Sequence, residues 1–228
     1  MLAKKYQCEI VSINNPVSGV YTVEFSPVSG KFKYKPGQFM HLALDDYDPS
    51  AAWPDSRCFS VQTSPQNGTL KITYAVKGVF TKKMEELLQV GKKIWIKLPY
   101  GDLFTQEHGT ENTVFIAGGT GVTPYLSLFT DSSFKNYRNP VLYLGCRNES
   151  YNFYEDELLS AKNINSSLEC NYYYQEREGV LNIEKIVAEN PNATSFFISG
   201  PPVMITSFRN YLLQNEIEEN RIKTDDWE

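Results

Sequence analysis

Apolar and polar positions alternate through much of the first hundred residues. Leu70, Ile72, Tyr74 and Val76 are separated by Lys71, Thr73 and Ala75, the period-two pattern of a strand with one buried face. Strands are expected over Gln7–Ile13, Val20–Ser26, Gln38–Leu44, Arg57–Thr63, Thr69–Val76 and Lys93–Leu98. One helix interrupts them: Met84, Leu87 and Leu88 put an apolar stripe on Phe80–Gln89. Short strands at close spacing predict a small antiparallel β-barrel.

The second half follows another pattern. Apolar runs at Thr113–Ala117, Val141–Gly145, Leu168–Tyr174 and Ser195–Ser199 read as strands. Helical patterns separate or follow them, at about Val122–Phe134, Phe153–Lys162, Asn182–Glu189 and Val203–Asn215. On the last, Met204, Phe208 and Leu212 recur every four residues. Strand–helix alternation predicts an α/β doubly wound parallel sheet. The polar segment Thr105–Asn112 reads as a joint, so a two-domain chain is expected, with a barrel over residues 1–105 and an α/β domain over residues 110–228.

Composition narrows the function classes. The chain has 228 residues, 41% hydrophobic and 21% charged, ample for two small cores. A net charge of −5 and the lack of long basic runs argue against nucleic acid. Met1–Tyr6 lacks an apolar leader and no stretch approaches the roughly 18 apolar residues of a membrane span, so a cytoplasmic protein is expected. Cys8, Cys58, Cys146 and Cys170 are scattered without a C-x-x-C pair, and His41 and His108 are far apart. Reduced thiols and no metal site are the expectation.

Candidate chemistry lies where strands end. Gly118-Gly119-Thr120-Gly121-Val122-Thr123-Pro124 follows the apolar run Thr113–Ala117. Glycines there admit a ligand to the backbone, and the next helix offers its first N–H groups to an anion. Right-handed crossovers bring this turn to one sheet edge with Gly145-Cys146-Arg147, Gln175-Glu176 and Gly200-Pro201-Pro202. Two glycine turns opening helices on one edge suit the pyrophosphate of a dinucleotide. In the first half, Arg57 offers bidentate bonds to phosphate, the helix start beside Gly78 and Thr81 offers more, and an aromatic neighbour offers a flat surface to a planar ring.

Taken together, these residues resemble the ferredoxin–NADP reductase superfamily over nearly the whole chain. Arg57, Phe59 and Ser60 are similar to its R-x-Y/F-S/T flavin motif, and Pro36–Phe39 to its P-G-Q-F turn. Gly78–Thr81 is similar to its G-V-x-S/T phosphate turn, and Gly118–Pro124 to its G-G-T-G-x-T-P nucleotide loop. Ser199–Met204 is similar to its C-G-P-P-x-M segment, and Asp225-Asp226-Trp227 to its closing acidic–aromatic tail.

The resemblance implies FAD and NAD(P)H as cofactors. Arg57 would bind the flavin pyrophosphate with Gly78 and Thr81, Phe59 would pack on the isoalloxazine, and Ser60 would bond near its N5. Tyr74 and Val76 would line the ribityl and pyrophosphate path. Thr120 would touch the flavin from the second domain, and Trp227 would cover its opposite face. Gly119, Gly121, Thr123, Gly200 and Pro201 would shape the NAD(P)H site. Catalytic roles would fall to Ser60, Asp225 and Trp227. Ser199 departs from the family, which usually has cysteine there.

Nucleotide choice stays open. Arg147 suits a 2′-phosphate, whereas Glu176 repels one and accepts hydrogen bonds from a ribose diol, a lean towards NADH. The implied activity is hydride transfer to bound FAD and electron delivery to a separate ferredoxin or oxygenase component. A reductase of free flavin and a non-catalytic flavin-binding or docking subunit are the alternatives. Oligomeric state has no sequence signal. Lys31, Lys33 and Lys35 cluster enough to meet an acidic partner, and Trp53 and Pro54 mark another candidate docking surface.

Overall fold

The computed structural model describes residues 2–226. The chain divides into two compact units, Met1–Asp102 and Leu103–Glu228.

The first unit is a six-stranded antiparallel sheet of order β4-β3-β6-β1-β2-β5. Its strands are β1 (Lys4–Val17), β2 (Val20–Pro27), β3 (Phe39–Ala43), β4 (Ser56–Ser60), β5 (Leu70–Ala75) and β6 (Lys93–Tyr100). Helix α1 (Val79–Leu87) joins β5 to β6. A two-residue turn at Ser18-Gly19, with Gly19 at φ 73°, closes the first hairpin at the Val17–Val20 pair. The sheet curls so that the chain beyond β4 meets β5, where the Gln62 N–H donates to the Lys71 carbonyl at 2.8 Å. That contact gives the barrel expected from the alternation. Ile10, Val23, Phe25, Met40, Leu42, Ile72 and Ile96 fill it and are wholly buried.

The second unit is a five-stranded parallel sheet of order β11-β10-β7-β8-β9. Its strands are β7 (Thr113–Gly118), β8 (Val141–Cys146), β9 (Glu169–Tyr174), β10 (Ser195–Ser199) and β11 (Ile222–Thr224). Its helices are α2 (Thr123–Phe129), α3 (Glu155–Ile164), α4 (Gln175–Glu178), α5 (Ile183–Glu189) and α6 (Pro202–Gln214). Both faces of β7 are buried: Phe115 and Ala117 belong to one core, Val114 and Ile116 to the other. Central parallel strands covered on both faces read as continuous apolar runs, which is why β7 and β10 are so plain in the sequence. The chain starts at the middle strand, moves outward through β8 and β9, then returns to β10 and β11 on the other side. The switch point therefore lies between β7 and β10, where open α/β sheets bind ligands beyond the strand ends.

Three local features differ from expectation. The helix expected over Val122–Phe134 is broken into a 3-10 turn at Gly119–Val122, α2, and a second 3-10 turn at Ser132–Asn136. Asp131 makes the break by accepting the Ser133 N–H at 2.9 Å, starting a new turn. Strand β11 was not expected, since three residues carry no readable period, yet Ile222 pairs with Phe196 of β10. Gln175-Glu176, expected as a turn at a strand end, opens the short helix α4.

Candidate functional site

At the carboxyl edge of the second sheet, the turns after β7 and β10 interlock. A Cβ on Gly121 would lie 2.6 Å from Gly200 Cα and from the Ser199 carbonyl carbon. On Gly118 it would lie 2.8 Å from Pro201, and on Gly200, at φ 146°, 2.9 Å from the Gly118 nitrogen. These three glycines let one turn pack on the other. Gly119 is different: its φ is 55° and nothing stands within 4 Å of its Cβ position. Of the loop glycines expected to admit a ligand, Gly119 is the one that leaves open backbone; Gly121 serves the packing of the turns. Thr123 is buried and its hydroxyl donates to the Thr120 carbonyl at 2.9 Å, fixing the loop internally. Pro201 is exposed and Thr120 half-buried.

The residue that departs from the resemblance has a defined partner. Ser199 is buried and donates to Asp225 Oδ2 at 3.0 Å, while the Asp225 N–H bonds the Ile198 carbonyl at 3.0 Å. Asp225 is thus held beside the β10 end by both its backbone and its side chain. Trp227 lies outside the described residues.

The turns after β8 and β9 are joined. The Asn148 amide donates to both oxygens of Glu176, at 3.1 and 3.2 Å, and the Glu176 N–H donates to the Arg147 carbonyl at 3.1 Å. Arg147 is exposed and lies over the Tyr151 ring, 5.2 Å from its centroid. Arg177 pairs with Glu149 at 2.8 Å and with Glu178. Asn148 and Tyr151 were not among the sequence candidates, and nothing in their spacing signals the pairing.

In the first unit, Arg57, the second residue of β4, is exposed, with Asp55 at 2.6 Å. Its guanidinium also lies 5.2 Å from the Phe80 ring centroid, so β4 and the first turn of α1 meet through this pair. Phe80 was missed as a site residue, although it stands inside the Gly78–Thr81 turn. The Thr81 hydroxyl accepts the N–H groups of Lys77 at 2.9 Å and Gly78 at 3.1 Å, which fixes the start of α1. Nothing lies within 4 Å of a Cβ on Gly78, leaving the helix amino terminus open to an anion. Phe59 and Ser60 are buried at the far end of β4. The Phe59 ring meets Tyr74 edge-on at 6.1 Å, and Tyr74 stacks on Tyr21 at 5.6 Å. Burial pushes the Tyr74 phenol well above its ordinary range, so it stays neutral. Val76 is half-buried beyond β5. The sequence candidates of each unit therefore gather within that unit: Arg57, Gly78 and Thr81 at one place in the barrel, and Gly119, Gly121, Gly200 and Pro201 at the sheet's switch point.

On the face of β3 and β4 that carries His41 and Cys58, the Cys58 sulfur is 3.6 Å from His41 Nε2. Burial raises the thiol and, with the nearby Lys97 charge, lowers the imidazole from its ordinary 6.5. Both groups are thereby held neutral, which argues against a reactive thiolate.

Comparison with known proteins agrees with this geometry. Residues 115–210 match the oxidoreductase NAD-binding domain family. The reductase component of propane 2-monooxygenase from Mycolicibacterium goodii is 26% identical over 233 residues, covering 94% of this chain and 65% of that protein. A ferredoxin NADP+ reductase from Neisseria gonorrhoeae, solved with FAD and NADP, superposes with a TM-score of 0.77 at 20% identity, over 97% of this chain and 98% of that one. At that identity the solved structure shows that the chain shares its fold. Another solved structure with this fold, a cytochrome P450 reductase from Amycolatopsis, gives a TM-score of 0.81 at 17% identity, covering 98% of this chain and 70% of that one. The chain spans 65% of the length of the similar protein from Mycolicibacterium goodii, less than two thirds. Among the described residues, no helix is long and apolar enough to cross a membrane.

Proposed function

We propose that this chain is an NAD(P)H-dependent flavoprotein reductase that keeps FAD bound and passes electrons to a separate protein acceptor. One observation carries the reading: each unit presents its own glycine-opened helix start, with an arginine beside the one in the barrel. The residues suit FAD. Arg57 and the first-turn N–H groups of α1 would hold its pyrophosphate, with Phe80 beneath the guanidinium and Thr81 keeping the turn in shape. Phe59 would present an aromatic surface and Ser60 a hydroxyl to the ring system. A bound flavin supplies hydride acceptance and onward release of electrons singly or in pairs.

The second unit would hold the dinucleotide at the switch point, through the Gly119 backbone and the turn at Gly200 and Pro201. Thr120 and Thr123 shape that loop, and Asp225 would stand close to the reacting groups, oriented by Ser199. The first unit would then be the flavin-binding domain and the second, with Leu103 and Phe104 in its core, the nucleotide-binding domain. Arg147 rests on Tyr151 while Asn148 presents Glu176, which favours NADH over NADPH. The acceptor would be an oxygenase component or a small electron carrier, as the relative that serves propane 2-monooxygenase suggests. The four free thiols fit a reducing compartment such as the cytoplasm.

An absorbance spectrum after exhaustive dialysis tests this, followed by anaerobic titration with each nicotinamide. A yellow protein bleached by NADH is expected. A colourless protein that consumes added flavin would instead be a free-flavin reductase, and a yellow protein that neither nicotinamide bleaches would be a non-catalytic subunit.

A further inference from the structure

β9 is an edge strand of the second sheet, and its outer side is bare over a short window. Its parallel register with β8 sets Val141 beside Glu169, Tyr143 beside Asn171 and Gly145 beside Tyr173. The Glu169 N–H donates to the Pro140 carbonyl at 3.0 Å, which fixes the alternation. Glu169, Asn171 and Tyr173 turn their backbone groups towards β8, and Cys170, Tyr172 and Tyr174 turn theirs outward. Both ends of the outward side are closed within the chain. The Leu168 N–H donates to the Asn165 carbonyl at 3.1 Å, and the Tyr174 N–H to Glu178 Oε2 at 2.8 Å. Between them, the N–H and C=O groups of Cys170 and Tyr172 have no partner among the described residues.

Lysine, proline, a bulge or shortness usually keeps an edge strand from pairing with another chain. The opposite edge of this sheet, β11, is three residues long. β9 has six residues, with no lysine, proline or bulge, and Tyr172 on it is 36% exposed. The bare window also fits a copy of itself. Antiparallel pairing about a twofold axis through Asn171 sets Cys170 against the partner's Tyr172, and Tyr172 against the partner's Cys170. Each pair exchanges two N–H···O bonds, so four bonds use every bare group. An axis through Tyr172 would need the Tyr174 N–H, which Glu178 holds, and one through Cys170 the Leu168 N–H, which Asn165 holds. The Asn171 register brings opposite charges together as well. It sets the partner's Glu169 opposite Tyr173, with about 4.5–5.5 Å between Cβ atoms. The Lys185 ammonium lies over that Tyr173 ring, 5.4 Å from its centroid. Glu169 has no ion pair within its own chain, among the described residues. Lys185 and the partner's Glu169 therefore meet on each side of the axis.

We propose that two copies of this chain pair antiparallel along β9, in the register centred on Asn171, and join their five-stranded sheets into one of ten strands. The pairing rests on the backbone and charges of the second unit and is independent of the reductase reading.

Sedimentation velocity of the full chain across a series of concentrations tests this, and a monomer–dimer equilibrium is expected. Tyr172→Pro removes an outward N–H at an edge position, where proline is tolerated. It is expected to give a monomer that circular dichroism shows to be folded. Glu169→Lys and Lys185→Glu each set like charges against one another across the axis and are expected to weaken dimerisation about tenfold. The double variant restores opposite charges and is expected to return to within about threefold of wild type. This charge exchange reads the register directly, so it decides the matter even if Tyr172→Pro does not fold. A wild type that stays monomeric up to about 0.1 mM overturns the proposal and leaves the edge to a strand of a different protein. A dimer that a folded Tyr172→Pro leaves intact, or a double variant that dimerises no better than the single ones, overturns it too.

Discussion

At the scale of single residues, glycine carries two different duties in this chain. Gly119 needs its left-handed backbone and leaves open space, whereas Gly121 has an ordinary conformation and no room for a Cβ. The sequence motif shows both as the same letter. Replacing Gly121 with alanine forces a methyl onto the Ser199–Gly200 backbone, which cannot swing aside as a side-chain end could. We expect Gly121→Ala to cost about 1–3 kcal/mol, as overpacking does, and to lower the thermal midpoint measured by circular dichroism. An unchanged midpoint would show that the two turns do not interlock. Ser199 makes a related point. Its hydroxyl was legible as a departure from the family cysteine, but the carboxylate it serves lies 26 residues later and came only with the β10–β11 pairing.

At the scale of elements, the carboxyl ends of β8 and β9 act together through one side-chain bridge. Arg147 and Glu176 pointed the sequence reading towards opposite nucleotides. In the fold Asn148 clamps Glu176 with two hydrogen bonds, while Arg147 lies against Tyr151. We expect wild type to favour NADH in kcat/KM, and Glu176→Gln to shift the NADH/NADPH ratio towards NADPH by about tenfold, or about 1.4 kcal/mol. Asn148→Ala should shift it the same way by less, since it loosens the carboxylate without removing it. Steady-state kinetics with both nucleotides checks this, and equal ratios in all three proteins would make Glu176 a bystander. The elements missed from sequence were the shortest ones. A three-residue strand and a four-residue helix span too few positions to show a period, and pairing with longer neighbours decides them.

At the scale of the whole molecule, the two units have separate cores, and that of the second takes in Leu103 and Phe104, just before the polar segment Thr105–Asn112. Leu103 is buried, and the Phe104 ring lies 5.0 Å from Phe197 and 6.2 Å from Phe115. A fragment of residues 103–228 is expected to fold cooperatively. A fragment of residues 110–228, lacking those two side chains, should be less stable by about 2–5 kcal/mol, the loss seen on truncating large core residues. Urea unfolding of the two fragments measures the difference, and equal midpoints would show that Leu103 and Phe104 add nothing to that core. The amino-acid sequence alone determined the two strand grammars, their order along the chain and the glycine turns, because each is a local pattern of backbone preference and periodicity. Tertiary structure alone decided which glycines are filled by neighbours and which carboxylates Asn148 and Ser199 hold. Those outcomes depend on contacts between residues far apart in the chain, which no local period records.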